Sequence, residues 1–197
     1  LFSPAFAKTI TVPSQANNTD IQPAIQAAVD TALNGDMIVL PAGTFILNKS
    51  VVVTKFISIK GQGLTQTILY RDSGVSDNTL SYDANWVGMF RYNINSTTSS
   101  HITISDIYFK SKQPSLVDGD GLSKAADIGI KMINCVDFVI TRCRFDYFGN
   151  GAVSVYHLDT KAQGLIFKNE FHHNVKGADG LGLGYGVVVY GSNQQWV

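Results

Sequence analysis

Apolar and polar positions along the chain fall into a short motif that recurs four times. Its order is an apolar residue, two variable positions, a small or polar residue, one variable position, then Leu or Phe. The matches are Ile59/Gln62/Leu64, Ile104/Ile107/Phe109, Ile140/Cys143/Phe145 and Ile166/Asn169/Phe171. Successive isoleucines are 45, 36 and 26 residues apart while the internal spacing holds, the pattern produced by stacked units with loop insertions of differing length. A second motif opens with glycine and continues with alternating apolar residues, at Gly88–Asn93, Gly129–Asn134, Gly151–His157 and Gly186–Gly191. Alternation is the period of a strand with one buried face. Gly129 and Gly151 are 22 residues apart, a length that suits one uninterrupted turn of a solenoid built from short strands. The longer intervals place insertions at about 71–86, 110–127 and 172–183, rich in Gly, Asp, Ser and Asn.

One segment has helical period instead. Thr19-Asp20-Ile21-Gln22 has the form of a capping box with Thr19 as N-cap. Ile21, Ile25, Ala28, Val29, Ala32 and Leu33 then share one face, and Gly35 supplies a stop. The spacing predicts an amphipathic helix over 19–34 that must lie on something apolar. Directly after it, residues 36–45 read as a strand, a Pro-Ala-Gly turn and a second strand.

The run from Ile25 to Gly63, with Ala27-Ala28, Gly35-Asp36, Ile38-Val39-Leu40-Pro41-Ala42-Gly43-Thr44-Phe45 and Ile57-Ser58-Ile59-Lys60-Gly61-Gln62-Gly63, resembles the opening of proteins of the pectate-lyase-like superfamily. The resemblance implies an all-β fold, a right-handed single-stranded parallel β-helix whose open N-terminal end is capped by the amphipathic helix. On this reading 1–197 is one domain, with an N-terminal arm at 1–18, the capping helix at 19–34 and coils over 36–197. The same opening occurs in lyases, hydrolases, epimerases, phage tailspikes and uncharacterised secreted proteins, so the resemblance specifies fold more than activity. The segment Gln194-Gln195-Trp196-Val197 has no recognisable polar cap for the last coil. The expectation is a solenoid truncated at its C-terminus, or self-association through uncapped coil ends.

Composition narrows the partners. The chain has 15 Lys+Arg against 15 Asp+Glu, and only 15% of residues are charged. A general nucleic-acid binder would carry a net basic face, so no nucleic-acid partner is expected, while a local patch remains open to an acidic ligand. No run of 18 apolar residues occurs, which gives no helical membrane span. Residues 1–7 end in Ala5-Phe6-Ala7, either the remnant of a signal peptide or an ordinary apolar arm. The first alternative gives a secreted or cell-surface protein, extracellular or periplasmic. Cys135 and Cys143 are too few for a disulfide framework and read as buried free thiols.

Candidate chemistry is densest at Arg142, Arg144, Asp146, Tyr147, His157, Lys168, His172 and His173. Lining one groove, these groups would suit β-elimination on a uronate-containing polysaccharide. An Arg or a bound Ca²⁺ would neutralise the carboxylate, Lys168 or a His (His157 or His172) would remove the adjacent proton, and Tyr147 or a second His would protonate the leaving oxygen. Epimerisation needs the same first steps followed by reprotonation from the opposite face. Arg142 and Asp146 are candidates for substrate binding. So are Tyr156 and Tyr190, at equivalent repeat positions, where aromatic faces meet a sugar ring or shield backbone. Arg142 sits at a turn, where bonding to backbone carbonyls is the alternative role. His172 and His173 are adjacent, and on an extended chain they point opposite ways. Asp118-Gly119-Asp120-Gly121 is a fragment of a Ca²⁺ loop without the closing Glu, otherwise a flexible turn; Ca²⁺ is the one cofactor it suggests. Gly-x-Ser-x-Gly, His-Glu-x-x-His, Cys-x-x-Cys and phosphate-binding Lys loops are absent. Two functions stay open: a lyase or epimerase acting on an acidic polysaccharide, and a non-catalytic structural, filament-forming or adhesive β-helix.

Overall fold

The computed structural model describes residues 7–71, 88–94, 101–111, 128–148, 151–156, 164–174 and 184–190. Strand β1 (Thr9–Thr11) and helix α1 (Gln22–Thr31) precede five coils of three strands each. The coils are β2 (Met37–Val39), β3 (Gly43–Ile46), β4 (Val51–Val53); β5 (Ser58–Lys60), β6 (Thr67–Tyr70), β7 (Gly88–Asn93); β8 (Ile102–Ser105), β9 (Tyr108–Lys110), β10 (Ile128–Ile133); β11 (Phe138–Thr141), β12 (Arg144–Asp146), β13 (Gly151–Tyr156); and β14 (Gly164–Phe167), β15 (Glu170–His172), β16 (Tyr185–Tyr190). The first strands of successive coils pair with β1 in sheet A, the second strands form sheet B and the third strands form sheet C. Every pairing is parallel. This is a parallel β-helix.

Each sheet turns one column of apolar side chains inward at the strand period. In sheet A, Ile38, Ile59, Ile104, Ile140 and Ile166 follow one another in register. In sheet B the column is Phe45, Leu69, Phe109, Phe145 and Phe171. The Phe109 and Phe145 rings stack at 5.2 Å, and those of Phe145 and Phe171 at 5.3 Å. The isoleucine column is as the repeat predicts, but Leu69 and not Leu64 holds the Phe position in the second coil. Six residues separate β5 from β6 there, against two in the later coils, and the fixed spacing slips into the extra turn. The glycine motif is also offset. Gly88, Ile128, Gly151 and Tyr185 share a register, which places Gly129 and Gly186 one residue on.

The N-terminal end is closed on all three sheets. β1 covers the edge of sheet A. Along sheet B, Asn18 N donates to Thr44 O at 2.7 Å, Ile46 N to Thr19 O at 2.9 Å, and Ile21 N to Ile46 O at 3.0 Å. Over sheet C, the Gln26 side-chain amide imitates a strand. Its Nε2 donates to Val52 O at 3.0 Å and its Oε1 accepts from Val52 N at 2.9 Å. The backbone pairing along sheet B overrides the capping box: the N-cap is Ile21, and the Thr19 hydroxyl turns back to Ala16 O at 2.7 Å. Asp20 Oδ1 accepts from Gln22 N in its place. At the other helix end the Lys55 ammonium donates to the carbonyls of Val29, Asp30 and Ala32, a cation at the negative end of the dipole.

Cys135 and Cys143 are buried and unpaired. Burial pushes both thiols up to about 12, so they serve as small core side chains and not as nucleophiles. On the fifth coil apolar side chains reach the surface, among them Leu165, Phe167, Phe171, Tyr185 and Val187. Among the described residues no strand pairs with the far edges of β14, β15 and β16.

Candidate functional site

In the third to fifth coils the turns between sheets A and B are two residues long, and each has one residue in left-handed backbone. Asp106 (φ 62°), Arg142 (φ 51°) and Lys168 (φ 55°) hold that position in three successive coils and stack at one corner of the solenoid. Their backbones are in line, Asp106 N donating to Arg142 O at 3.0 Å and Arg142 N to Lys168 O at 3.1 Å. The Arg142 guanidinium grips Asp106 with two bonds, Nε to Oδ1 at 2.6 Å and Nη2 to Oδ2 at 2.8 Å. These bonds, with one from Ser105, outweigh partial burial and hold the Asp106 carboxyl below the usual carboxylate range. Arg142 is thus at a turn as expected, but its partner is a carboxylate of the preceding coil. Lys168 Nζ lies 5.9 Å from the Phe167 ring centroid, over the sheet A side of the corner.

Outward side chains of sheet B form two columns, Ile68–Tyr108–Arg144–Glu170 and Tyr70–Lys110–Asp146–His172. Asp146, only 2% exposed, is their hub. Arg144 donates Nη2 to Oδ2 at 2.9 Å and Nε to Oδ1 at 3.2 Å, and the Tyr108 hydroxyl donates to Oδ2 at 2.6 Å. Arg144 also lies over the Tyr108 ring, 4.8 Å from its centroid. Desolvation pushes the Asp146 carboxyl up, but the bonds from Arg144 and Tyr108 together pull it below its ordinary value. Burial and the Asp146 charge push the Tyr108 phenol the other way, well above its ordinary value. Asp146 therefore stays ionised and Tyr108 stays protonated. The closed network positions its neighbours and does not itself exchange protons near neutrality.

Just past the strands, Tyr147 (φ 66°) and His173 (φ 52°) are again left-handed. Their rings stack at 5.0 Å with 13° between planes. Left-handed backbone at His173 breaks the extended alternation, so the His172 and His173 rings come within 6.2 Å of each other. This corrects the expectation that the two imidazoles diverge. His172 Nε2 is 3.5 Å from Glu170 Oε2.

The structure therefore gathers Arg144, Asp146, Tyr147 and His172 on one face and adds Tyr108, Lys110, Glu170 and His173. It sets Arg142 and Lys168 apart at the corner. Tyr156 pairs in register with Tyr190, but both end strands of sheet C, away from this face. His157, Asp118 and Asp120 lie outside the described residues, and the insertions predicted at 71–86, 110–127 and 172–183 do so for most of their length. Tyr108 and Lys110 flank Phe109 as Arg144 and Asp146 flank Phe145, so the equivalence of the two phenylalanines in the repeat is the signal that would add them to the candidates. Asp146 is engaged by Arg144 and Tyr108, and among the described residues no group of three His, Cys, Asp or Glu is placed to hold a metal ion.

A stack of parallel coils with an N-terminal helical cap and a polar outer wall defines the class as a parallel β-helix. The family model for rhamnogalacturonase A/epimerase, pectate lyase-like, matches residues 15–197, and the chain belongs to this family. Among solved structures, ORF18 of Geobacillus virus E2 matches with a TM-score of 0.55 at 16% identity, over 80% of this chain and 29% of that one. That likeness concerns the fold, and the chain spans about 29% of that protein's length. No protein with a curated description matches the sequence. Among the described residues no helix is long and apolar enough to cross a membrane.

Proposed function

We propose that the chain is part of a secreted carbohydrate-active β-helix that binds an acidic, uronate-containing polysaccharide across sheet B and acts on it as a lyase or epimerase. The observation that carries the reading is the cluster of Tyr147, His172 and His173 beside the fixed Asp146–Arg144 pair, in a chain of the rhamnogalacturonase/epimerase family. Two imidazoles and a phenol supply both an acceptor and a donor of protons. In elimination, an imidazole takes the proton from the carbon next to the uronate carboxylate. The C–O bond one carbon further on breaks as the double bond forms, and the Tyr147 phenol or the second imidazole protonates the departing oxygen. Arg142 and Arg144 are committed to Asp106 and Asp146, so Lys110 is the described cation left to offset the substrate carboxylate. Lys168, at the corner, serves as a binding charge. Export rests on the Ala5-Phe6-Ala7 sequence.

The test is incubation with polygalacturonate, rhamnogalacturonan, alginate and a glycosaminoglycan, following unsaturated uronate by ultraviolet absorbance and uronate stereochemistry by NMR. His172→Ala, His173→Ala and Tyr147→Phe are expected to lower the rate, with at least one losing about a hundredfold or more. Absence of product and of epimerisation across the panel would overturn the proposal. The exposed apolar side chains among the described residues of the fifth coil, Leu165, Phe167, Phe171, Tyr185 and Val187, favour a second reading, a non-catalytic β-helix that self-associates. It requires a particle mass well above 21.4 kDa by light scattering, together with no turnover.

A further inference from the structure

The outer wall of sheet A differs in kind from that of sheet B. Its side chains face outward on either side of the buried isoleucine column. The column Thr11–Val39–Lys60–Ser105–Thr141–Phe167 runs the length of the described sheet, and the column two residues before it, from Thr9 to Leu165, carries no charge. Lys60 is thus the one ionic side chain of these two columns. Hydroxyls on the wall are turned back into the protein: Ser58 Oγ accepts from Thr103 N at 3.0 Å, and Ser105 Oγ donates to Asp106 Oδ2 at 2.8 Å. Covering such groups forfeits few bonds to water, while covering Val39, Val139, Leu165 and Phe167 takes apolar surface out of it. Leu165 and Phe167 are 55% and 36% exposed. We propose that sheet A packs face to face on sheet A of a second copy of this chain, in a two-fold dimer with the order of coils reversed. Such a dimer leaves sheet B open, so the inference stands apart from the polysaccharide reading.

The order of side chains along the wall is what selects a second copy. A two-fold axis parallel to the strands, between β5 and β8, sets each coil against the reverse order in the other chain. Leu165 and Phe167, the large end, then lie on Thr9 and Thr11, the small end, while Val139 and Thr141 lie on Met37 and Val39. Lys60 meets Ser105 beside Asp106, the carboxylate that Arg142 holds and on which the Lys60 charge already acts within one chain. An axis along the solenoid instead sets Phe167 on Leu165 at one end and Thr11 on Thr9 at the other, bulk on bulk with a gap opposite, and brings the two Lys60 side chains together. Small side chains in the middle of the wall suit the roughly 10 Å separation of packed sheets. Six strands about 4.8 Å apart and three residues wide make a patch of about 30 by 10 Å. Over both copies, with side-chain relief, that buries about 1,000 Å², the low end for a specific interface. Half-association is therefore expected at about 10–100 μM chain.

Sedimentation equilibrium of the whole chain from about 1 to 500 μM spans that range and tests the dimer. The mean mass should rise from 21.4 kDa towards twice that value and stop there. Thr103→Lys/Val139→Lys places charge on half-buried positions at the middle of the wall and should remain monomeric with an unchanged circular dichroism spectrum. Thr9→Lys/Thr11→Lys, at the exposed rim, should weaken association about tenfold, which keeps the test decisive if the central pair folds poorly. The reversed order is read by cross-linking. Thr11→Cys/Phe167→Cys, treated with a bis-maleimide spanning about 10 Å, should give covalent dimers, because within one chain these positions stand five strand spacings apart, about 24 Å. Cys135 and Cys143 are buried and do not compete. Phe167→Cys alone should not be linked. A monomer throughout the range overturns the inference, as does linking through Phe167→Cys alone. A mass that grows past the dimer and is indifferent to the wall lysines also overturns it, in favour of association through coil ends.

Discussion

Truncation of Phe145 tests the internal column that sets the register of the sheet B wall. The ring is fully buried, stacked on Phe109 at 5.2 Å and 5° and on Phe171 at 5.3 Å and 10°, with the Phe148 ring edge-on at 6.2 Å. Phe145→Ala loses the transfer energy and leaves a cavity, about 3–5 kcal/mol. Each lost aromatic pair adds about 0.5–1.5 kcal/mol beyond area. The rigid stack above and below limits collapse, so about 4–5 kcal/mol is expected. For a chain of this size that is a fall of about 10–15 °C in Tm. Phe171→Ala removes a ring of the same kind that is 37% exposed and has its stacked phenylalanine on one side, and should cost about 1–2 kcal/mol. Urea unfolding followed by circular dichroism gives both numbers, and native-state hydrogen exchange locates the loosened coils. Equal costs for the two variants, or a Phe145 cost below about 1.5 kcal/mol, would refute the account of a column stabilised by stacking like on like.

Two further substitutions separate other contributions. Asp146→Asn keeps an acceptor for Tyr108 but loses the charge that Arg144 pairs with. Because the native Asp146 carboxyl lies below its ordinary value, the stabilisation is fully present above about pH 4 and is lost as pH falls through the lowered value. The gap between wild type and the variant should be about 1–2 kcal/mol at pH 7 and close towards pH 2–3; a gap independent of pH would show that the ionised carboxylate contributes nothing. Gly61→Ala probes the second coil's corner, where a Cβ would strike the backbone carbonyl of Asp106 and approach Ile107 Cγ1 at 2.9 Å. Neither can move without shifting the third coil, so a loss of about 2 kcal/mol is expected in the same unfolding assay, and a neutral result would remove the steric reason for glycine there.

What the sequence showed and what it hid follow from which interactions are periodic. Inward columns are legible because each coil repeats β-branched or aromatic residues at the strand period, so Ile104, Ile140 and Ile166 announce their register. The motif failed at Leu64 because inserted residues preserve composition while shifting phase, and only cross-strand pairing identifies Leu69. Glycine misled as a marker of the sheet C strands, since the conserved quantity there is the alternation and not the first residue. The capping box at Thr19 is a sound local signal, but backbone pairing with Thr44 and Ile46 took the same residues. The site was half legible: Arg144, Asp146, Tyr147 and His172 lie in one coil and the next. The grip of Arg142 on Asp106, 36 residues earlier, and the return of the His173 ring towards His172 depend on left-handed corners that Arg142, Tyr147 and Lys168 do not advertise by residue type.

Those corners also decide which charges can act outside the protein. In a parallel stack, residues at one position of successive coils stand about 4.8 Å apart, so opposite charges in a column or on adjoining positions neutralise each other before any ligand arrives. Asp106 meets Arg142 in this way, and Asp146 meets Arg144. The two arginines that looked best suited to a substrate carboxylate are therefore the two least free to bind one. Tyr108 completes the closure at Asp146, since a hydroxyl donor on the remaining side fixes the carboxylate in place. Lys168 lies over the Phe167 ring, and Lys110 lies over the Tyr70 ring beside its register neighbour Asp146, whose oxygens Arg144 and Tyr108 already occupy. Arginine is thus used along this wall as a fastener between and within coils.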